Sequence, residues 1–139
     1  MIVLDTNVLS EVIKVTPHPA VRNWFIGLQP EDVCITAITE AELRYGAEIL
    51  PEGKRKTSLL EAIDSTITMA IGGGTLPFDR AAAEHYALIA AARRRAGRPT
   101  SQSDCQIAAI VRARKSVLAT RNIKDFIDCG ITLVDPWNN

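Results

Sequence analysis

Short apolar runs alternate along this chain with longer stretches whose apolar residues recur every three or four positions. The run Ile2, Val3, Leu4 stops at Asp5 and predicts a strand over residues 2–5. Thr6 or Asn7 is placed to cap a short helix to about Lys14, and "TPHP" (16–19) breaks it. Val21, Trp24, Phe25 and Leu28 share helical spacing, and the β-branched "DVCIT" (32–36) reads as a second strand. Helical periodicity returns over 38–50 and ends at Pro51. After the solvated link "EGKR" (52–55) it returns over 55–71, with Leu59, Leu60, Ile63 and Ile67 on one side. "GGG" (72–74) breaks that helix, and "TLPF" (75–78) is a short extended piece. An Ala-rich helix starting at Asp79 runs to about Ala96 with Gly97 as its stop, Asp79 being best read as its N-cap. The loop 98–103 leads to a helix from Asp104 to about Arg114, and "SVLAT" (116–120) and "ITLV" (131–134) are the last strands. There is no internal repeat, low-complexity tract or domain linker.

Strands alternating with helices imply an α/β fold with a central, mainly parallel sheet covered on both sides. Ligands bind such sheets outside the carboxyl ends of the strands. Asp5 ends one strand; Thr120, Arg121 and Asn122 end another.

Two helices carry an acid where the pattern calls for an apolar residue. Ile38, Glu42, Tyr45 and Ile49 fall on one stripe, beside a second stripe of Leu43, Ala47 and Leu50, while Glu40, Arg44 and Glu48 are free to be solvated. Asp104 shares a face with Ile107, Ala108 and Val111. Each acid has an ordinary explanation. Asp104 suits a cap or first-turn acid, Glu42 a partly exposed acid paired with arginine, and Asp5 a cap or Asx turn. Taken together, three inward or strand-end carboxylates form a hard oxygen set. That set suits Mg²⁺ or Mn²⁺ rather than zinc.

Composition narrows the picture further. The chain has 139 residues, a length suited to one domain (1–139) with a real core. Its 16 basic and 16 acidic residues cancel. This argues against constitutive nucleic-acid binding by bulk charge, and leaves transient contact or contact through a partner. No apolar run reaches the roughly 20 residues of a membrane span, and no signal-peptide pattern opens the chain, so no membrane association is expected. Cys34, Cys105 and Cys129 are widely spaced, which fits buried thiols in a reduced, cytoplasmic protein. His18, between two prolines, and His85, mid-helix, read as structural or surface residues. Arg93, Arg94, Arg95 and Arg98 are the densest basic run. Dipole complementation and solubility account for at least two of them, and RNA phosphate contact is the sharper alternative.

The ordered motifs "VLDTNVLSE" (3–11), "ITEAELRYGA" (38–47), "LPFD" (76–79), "SDCQIAA" (103–109), "LATRNIKDF" (118–126) and "LVDPW" (133–137) span essentially the whole chain. In this order the chain resembles the PIN-domain ribonucleases, specifically the VapC/FitB-type toxins of toxin–antitoxin pairs, through the FitB branch. The resemblance implies a PIN fold and a Mg²⁺- or Mn²⁺-dependent endoribonuclease. It places Asp5, Glu42 and Asp104 as catalytic, metal-holding acids. Thr120 and Asn122 join them at the strand end, and Thr6 and Asn7 position substrate. It also implies a homodimer and a cognate antitoxin that supplies the DNA-binding element. Val12, Trp24, Phe25, Leu43, Ile49 and Leu50 are candidates either for the antitoxin groove or for the core. Many relatives carry a fourth acid where this chain has Asn122, which puts a second metal site in question; Asp125 is the nearest substitute. Three rival readings follow. One is a weakened PIN domain that binds an antitoxin or RNA. Another is a phosphatase or DNA nuclease built on the same acids. In the last, the acids are capping residues alone.

Overall fold

The computed structural model describes residues 1–138. Strand β1 (Ile2–Leu4) leads into α1 (Thr6–Val12) and α2 (Pro19–Ile26), then β2 (Val33–Thr36), α3 (Ala37–Glu48) and α4 (Lys54–Met69). Then come β3 (Thr75–Leu76), α5 (Arg80–Arg95), α6 (Gln102–Ala113), β4 (Val117–Ala119), α7 (Ile123–Phe126) and β5 (Thr132–Val134).

The five strands lie in the order β3-β2-β1-β4-β5, and every neighbouring pair is parallel. Ile2 pairs with Val33 on one side and Val117 on the other, so the three central strands begin level with one another. Alternation along these short strands separates two cores. Val3, Cys34 and Leu118 face the layer built from Ala82, Ile89 and the inner face of α6. Leu4, Val33, Ile35 and Ala119 face Val8, Leu9, Trp24, Phe25 and Leu43. The expected sheet with helices on both sides is therefore present.

The glycine run before β3 is needed for close approach as well as for breaking a helix. A Cβ on Gly73 would lie 2.6 Å from the Val33 carbonyl oxygen, so only glycine lets this segment run against β2.

Several local expectations hold. Asp79 Oδ1 accepts from the Ala82 N–H and caps α5. His18 Nδ1 accepts from the Ala20 N–H at the start of α2. The three thiols are buried and unpaired, and burial pushes each of them up, Cys105 to about 11. In the arginine run, Arg93 is buried and donates to the Ile127 carbonyl, and Arg98 pairs with Asp128. Those two brace the α7 segment and are not free for phosphate. Val12, Trp24, Phe25 and Leu43 pack on the second core, whereas Ile49 is exposed.

Others are corrected. Neither Thr6 nor Asn7 caps α1. The cap is Asp5, whose carbonyl accepts from the Val8 and Leu9 N–H groups at 3.0 and 3.1 Å. Helix α6 begins two residues before Asp104, because Ser101 is its N-cap and its Oγ accepts from the Asp104 N–H at 3.2 Å. The stripe holding Glu42 faces outward at its far end: Tyr45 and Ile49 are 68% and 65% exposed, and Thr39 and Ala47 are buried instead.

Candidate metal centre

Asp5 is fixed where β1 becomes α1. Its N–H donates to the Ala119 carbonyl at 2.9 Å, continuing the ladder onto β4. The residue is 4% exposed. Oδ1 accepts from the Thr6 N–H at 2.9 Å and Oδ2 accepts from the Thr120 hydroxyl at 2.7 Å. Thr120 ends the neighbouring strand and is fully buried; its Oγ also accepts from the Asn122 N–H at 3.0 Å. One threonine thus ties the buried carboxylate to the loop that carries Asn122.

Glu42 comes from α3. That helix starts at Thr36, whose Oγ accepts from the Thr39 N–H. Thr6 Oγ stands 3.1 Å from Thr39 Oγ and donates to Glu42 Oε1 at 2.7 Å. Glu42 is exposed. Its relation to Asp5 is held by this threonine relay and not by apolar packing. Asp104 enters from the first turn of α6 and is half-buried. On the other rim, Asn7 Oδ1 accepts from the Arg121 N–H at 3.3 Å, and the Arg121 guanidinium lies 4.9 Å from the centre of the Trp137 ring.

Asp5, Thr6, Asn7, Glu42, Asp104 and Asn122 line one open cavity of about 310 Å³, together with Ser10 and Leu43. The expected residues therefore meet at the carboxyl ends of β1 and β4. Ser10 was not anticipated; its only sequence signal is its place one helical turn after Asn7. Asp125 does not line the cavity, though its charge reaches Asp104.

The electrostatics are those of an acidic site without a counter-ion. Burial pushes the Asp5 carboxyl up to about 6. The Thr120 and Thr6 hydrogen bonds oppose that rise, and the Asp104 and Glu42 charges add to it. Asp104 is raised as well, first by burial; Ser101 opposes the shift and the Asp125 and Glu42 charges add to it. Among the described residues, no lysine or arginine forms an ion pair with Asp5, Glu42 or Asp104.

A divalent cation fits this donor set in one particular way. Among the described residues, no three or more His, Cys, Asp or Glu side chains stand close enough together to hold a metal ion between them. Mg²⁺ does not need that many. It is held by one or two carboxylates with its remaining positions open to water and phosphate oxygen. An oxygen-only, open and uncompensated pocket matches that requirement.

The PIN domain family profile matches residues 2–129. The chain belongs to the PIN domain family. Within it, the chain falls in the VapC/FitB group. It is 38% identical over 99% of its length to VapC ribonuclease Y4jK of Sinorhizobium fredii, 98% of which is covered. It is 37% identical to toxin FitB of Neisseria gonorrhoeae over the full length of both chains. The solved structure of FitAB bound to an IR36 DNA fragment superposes with a TM-score of 0.90 at 36% identity, covering 99% of this chain and 96% of that one. The all-parallel sheet described above is thus the PIN fold of this group. Among the described residues, no helix is long and apolar enough to cross a membrane.

Proposed function

We propose that this chain is the toxin of a toxin–antitoxin pair and acts as a Mg²⁺- or Mn²⁺-dependent endoribonuclease. One observation supports this most directly. Carboxylates from the end of β1, from α3 and from α6 share one open cavity, and among the described residues no cation pairs with them. Asp5 and Asp104 would hold the cation, with Glu42 reaching it directly or through water. When bound, the cation supplies charge neutralisation for a phosphodiester and lowers the pKa of water.

The chain's own residues have separate tasks in this scheme. Thr120 fixes the Asp5 carboxylate and keeps one of its oxygens engaged. Thr6 holds Glu42 near the cavity mouth, where that exposed carboxylate is placed to take a proton from the attacking water. Asn122 and Asn7 offer neutral amides to the scissile strand. Attack in line would leave a 5′-phosphate and a 3′-hydroxyl. No histidine lines the cavity, so a metal-free acid–base route to a cyclic phosphate is not part of the scheme.

The names of the relatives support the assignment: one is a ribonuclease, one a toxin, and the FitAB assembly is bound to DNA. A cognate antitoxin would supply the DNA contact here, in keeping with a formal net charge of zero on this chain. A guanidinium from that antitoxin suits the acidic cavity. A second reading has one specific support, the neutral Asn122 at the cavity wall. There the domain binds its antitoxin or RNA and cuts weakly.

The deciding experiment uses partner-free protein on a panel of structured RNAs, tRNAs included, with single-stranded DNA and a phosphomonoester as comparison substrates. Mg²⁺, Mn²⁺ and EDTA are compared beside Asp5→Asn. Metal-dependent RNA cleavage lost in the variant bears the proposal out. Folded protein that cuts none of the RNAs favours the weakened domain, and preference for DNA or the monoester replaces the substrate.

A further inference from the structure

A second cavity of about 410 Å³ opens at the other end of the sheet, where β4 and β5 begin. His85 of α5, Arg112 of α6, Lys115, Ser116, Gly130 and Thr132 line it, and among the described residues no carboxylate does. The acids nearest in sequence to its walls are occupied elsewhere. Glu84, next to His85, lies 3.9 Å from Arg80; Asp128 pairs with Arg98, and Asp79 lies 3.8 Å from Arg114. Arg112 is half-buried and, among the described residues, its side chain has neither an ion pair nor a hydrogen bond. Lys115 is exposed and is likewise in no ion pair. The Nδ1 atom of His85 is buried with no hydrogen-bond partner.

Two backbone positions beside the cavity, Lys115 and Gly130, lie in the left-handed region. Gly130 has φ +75, which favours glycine, and the Arg112 guanidinium packs beside it at ordinary van der Waals distance, 3.4 Å from where a Cβ would stand. Lys115 stands at φ 52, just past the end of α6, a position that ordinarily takes glycine or asparagine. The α6 dipole alone does not explain the arrangement. It favours cations beside the last helical carbonyls, yet the Arg112 side chain bonds none of them and lies against Gly130.

We infer that this cavity is a binding site for a phosphomonoester, held by the Arg112 guanidinium and Lys115 ammonium with His85 and the Ser116 and Thr132 hydroxyls around it. Arginine presents a planar fork to phosphate oxygens and lysine a mobile point charge, and a cavity of this size admits a mononucleotide. The phosphate has two possible carriers, a free mononucleotide or the 5′ end of an RNA strand. The site lies at the opposite strand ends from Asp5 and does not depend on the nuclease reading.

The test is an amide chemical-shift titration of the full chain in EDTA. The probes are adenosine 5′-monophosphate, adenosine, and a short RNA with and without a 5′-phosphate. Saturable shifts at Lys115, Ser116, Gly130 and Thr132 are expected with the nucleotide and not with adenosine. Arg112→Gln and Lys115→Gly should each weaken binding by about tenfold. Lys115→Gly removes the charge at a backbone position glycine prefers, so it keeps the test valid if Arg112→Gln folds poorly. The same shifts with 5′-phosphorylated RNA alone, or with the mononucleotide alone, identify the carrier and support the site. No saturable shift with either carrier, equal shifts with adenosine, or unchanged affinity in Lys115→Gly overturns it.

Discussion

The two ends of the central sheet use charge in opposite ways. At the carboxyl ends, Asp5, Glu42 and Asp104 gather with no protein cation, and burial holds Asp5 far from its ordinary titration. At the amino ends, Arg112 and Lys115 gather with no carboxylate among the described residues. Away from both cavities, several charges are paired: Lys14 with Glu11, Arg44 with Glu40 and Asp64, Lys56 with Glu52. Two cavities of opposite sign, each gathering charges with no ion-pair partner among the described residues, suit ligands of opposite sign. The ends also differ in hydrogen bonding. Two of the acids are tied in by threonines, Thr120 to Asp5 and Thr6 to Glu42, whereas among the described residues the Arg112 and Lys115 side chains make no hydrogen bond.

The largest expected effect falls on the acidic end. Asp5→Asn keeps the shape and both hydrogen-bonding atoms' positions but removes the charge. Under the proposed function it should lower RNA cleavage by at least about 10²–10³-fold, as loss of a principal electrostatic group does. Single-turnover cleavage in Mg²⁺ reads this directly. Retained activity would show that the cation is held by other residues.

The same variant should gain stability. The Asp5 carboxyl sits at about 6 in the folded protein against an ordinary 3.8, so the folded state holds this proton more tightly than the unfolded chain does. The stability tied to it is complete below about pH 4 and is lost as pH rises through 6. The full loss corresponds to about 3 kcal/mol, with Asp104 shifting in the same direction. Urea denaturation in EDTA between pH 4 and 7 should show wild type weakening as pH rises and Asp5→Asn weakening much less. Mg²⁺ should restore wild type at pH 7 and leave the variant unmoved, because only a ligand bound by the folded state stabilises it. Parallel curves for the two proteins would refute the strained-acid account.

A smaller effect is expected at Thr120→Val. It leaves Asp5 Oδ2 and the Asn122 N–H without their shared partner, costing about 1–3 kcal/mol. It should also raise the Asp5 pKa further, since the Thr120 hydrogen bond lowers it. A carboxyl titration by NMR checks the second point, which a mere packing loss would not produce.

The acidic end was far more legible in the sequence than the basic one, for a physical reason. Asp5, Glu42 and Asp104 each interrupt a local pattern, at a strand end or on an otherwise apolar stripe, so each is visible within its own element. Even so, periodicity reports which residues share a face and not which face turns inward. That is why the stripe puts Glu42 among apolar neighbours while leaving its exposure open, and Tyr45 and Ile49 prove open to solvent. The Ser101 cap was hidden behind Asp104, itself an acceptable cap residue. Arg112, Lys115 and His85 interrupt nothing. They sit where a helix end, a turn and a helix face ordinarily carry polar groups, and only the packing of α5 against α6 brings them together. Their one local mark is a lysine at positive φ, which a sequence does not display.

That lysine offers the smallest effect and a sharp contrast with Asp5. Replacing Lys115 with glycine removes the steric penalty of a side chain in the left-handed region and should stabilise the protein by up to about 1 kcal/mol. If the residue is there for its charge, the gain comes with weaker phosphate binding, the trade expected where a ligand site is kept at the cost of stability. Thermal denaturation of wild type and variant, with and without adenosine 5′-monophosphate, measures both sides at once. The variant should start higher and rise less with nucleotide. A variant that starts higher and responds to the nucleotide as wild type does would make Lys115 an ordinary surface residue in an unfavourable turn, and would leave the acidic cavity as the one ligand site of this sheet.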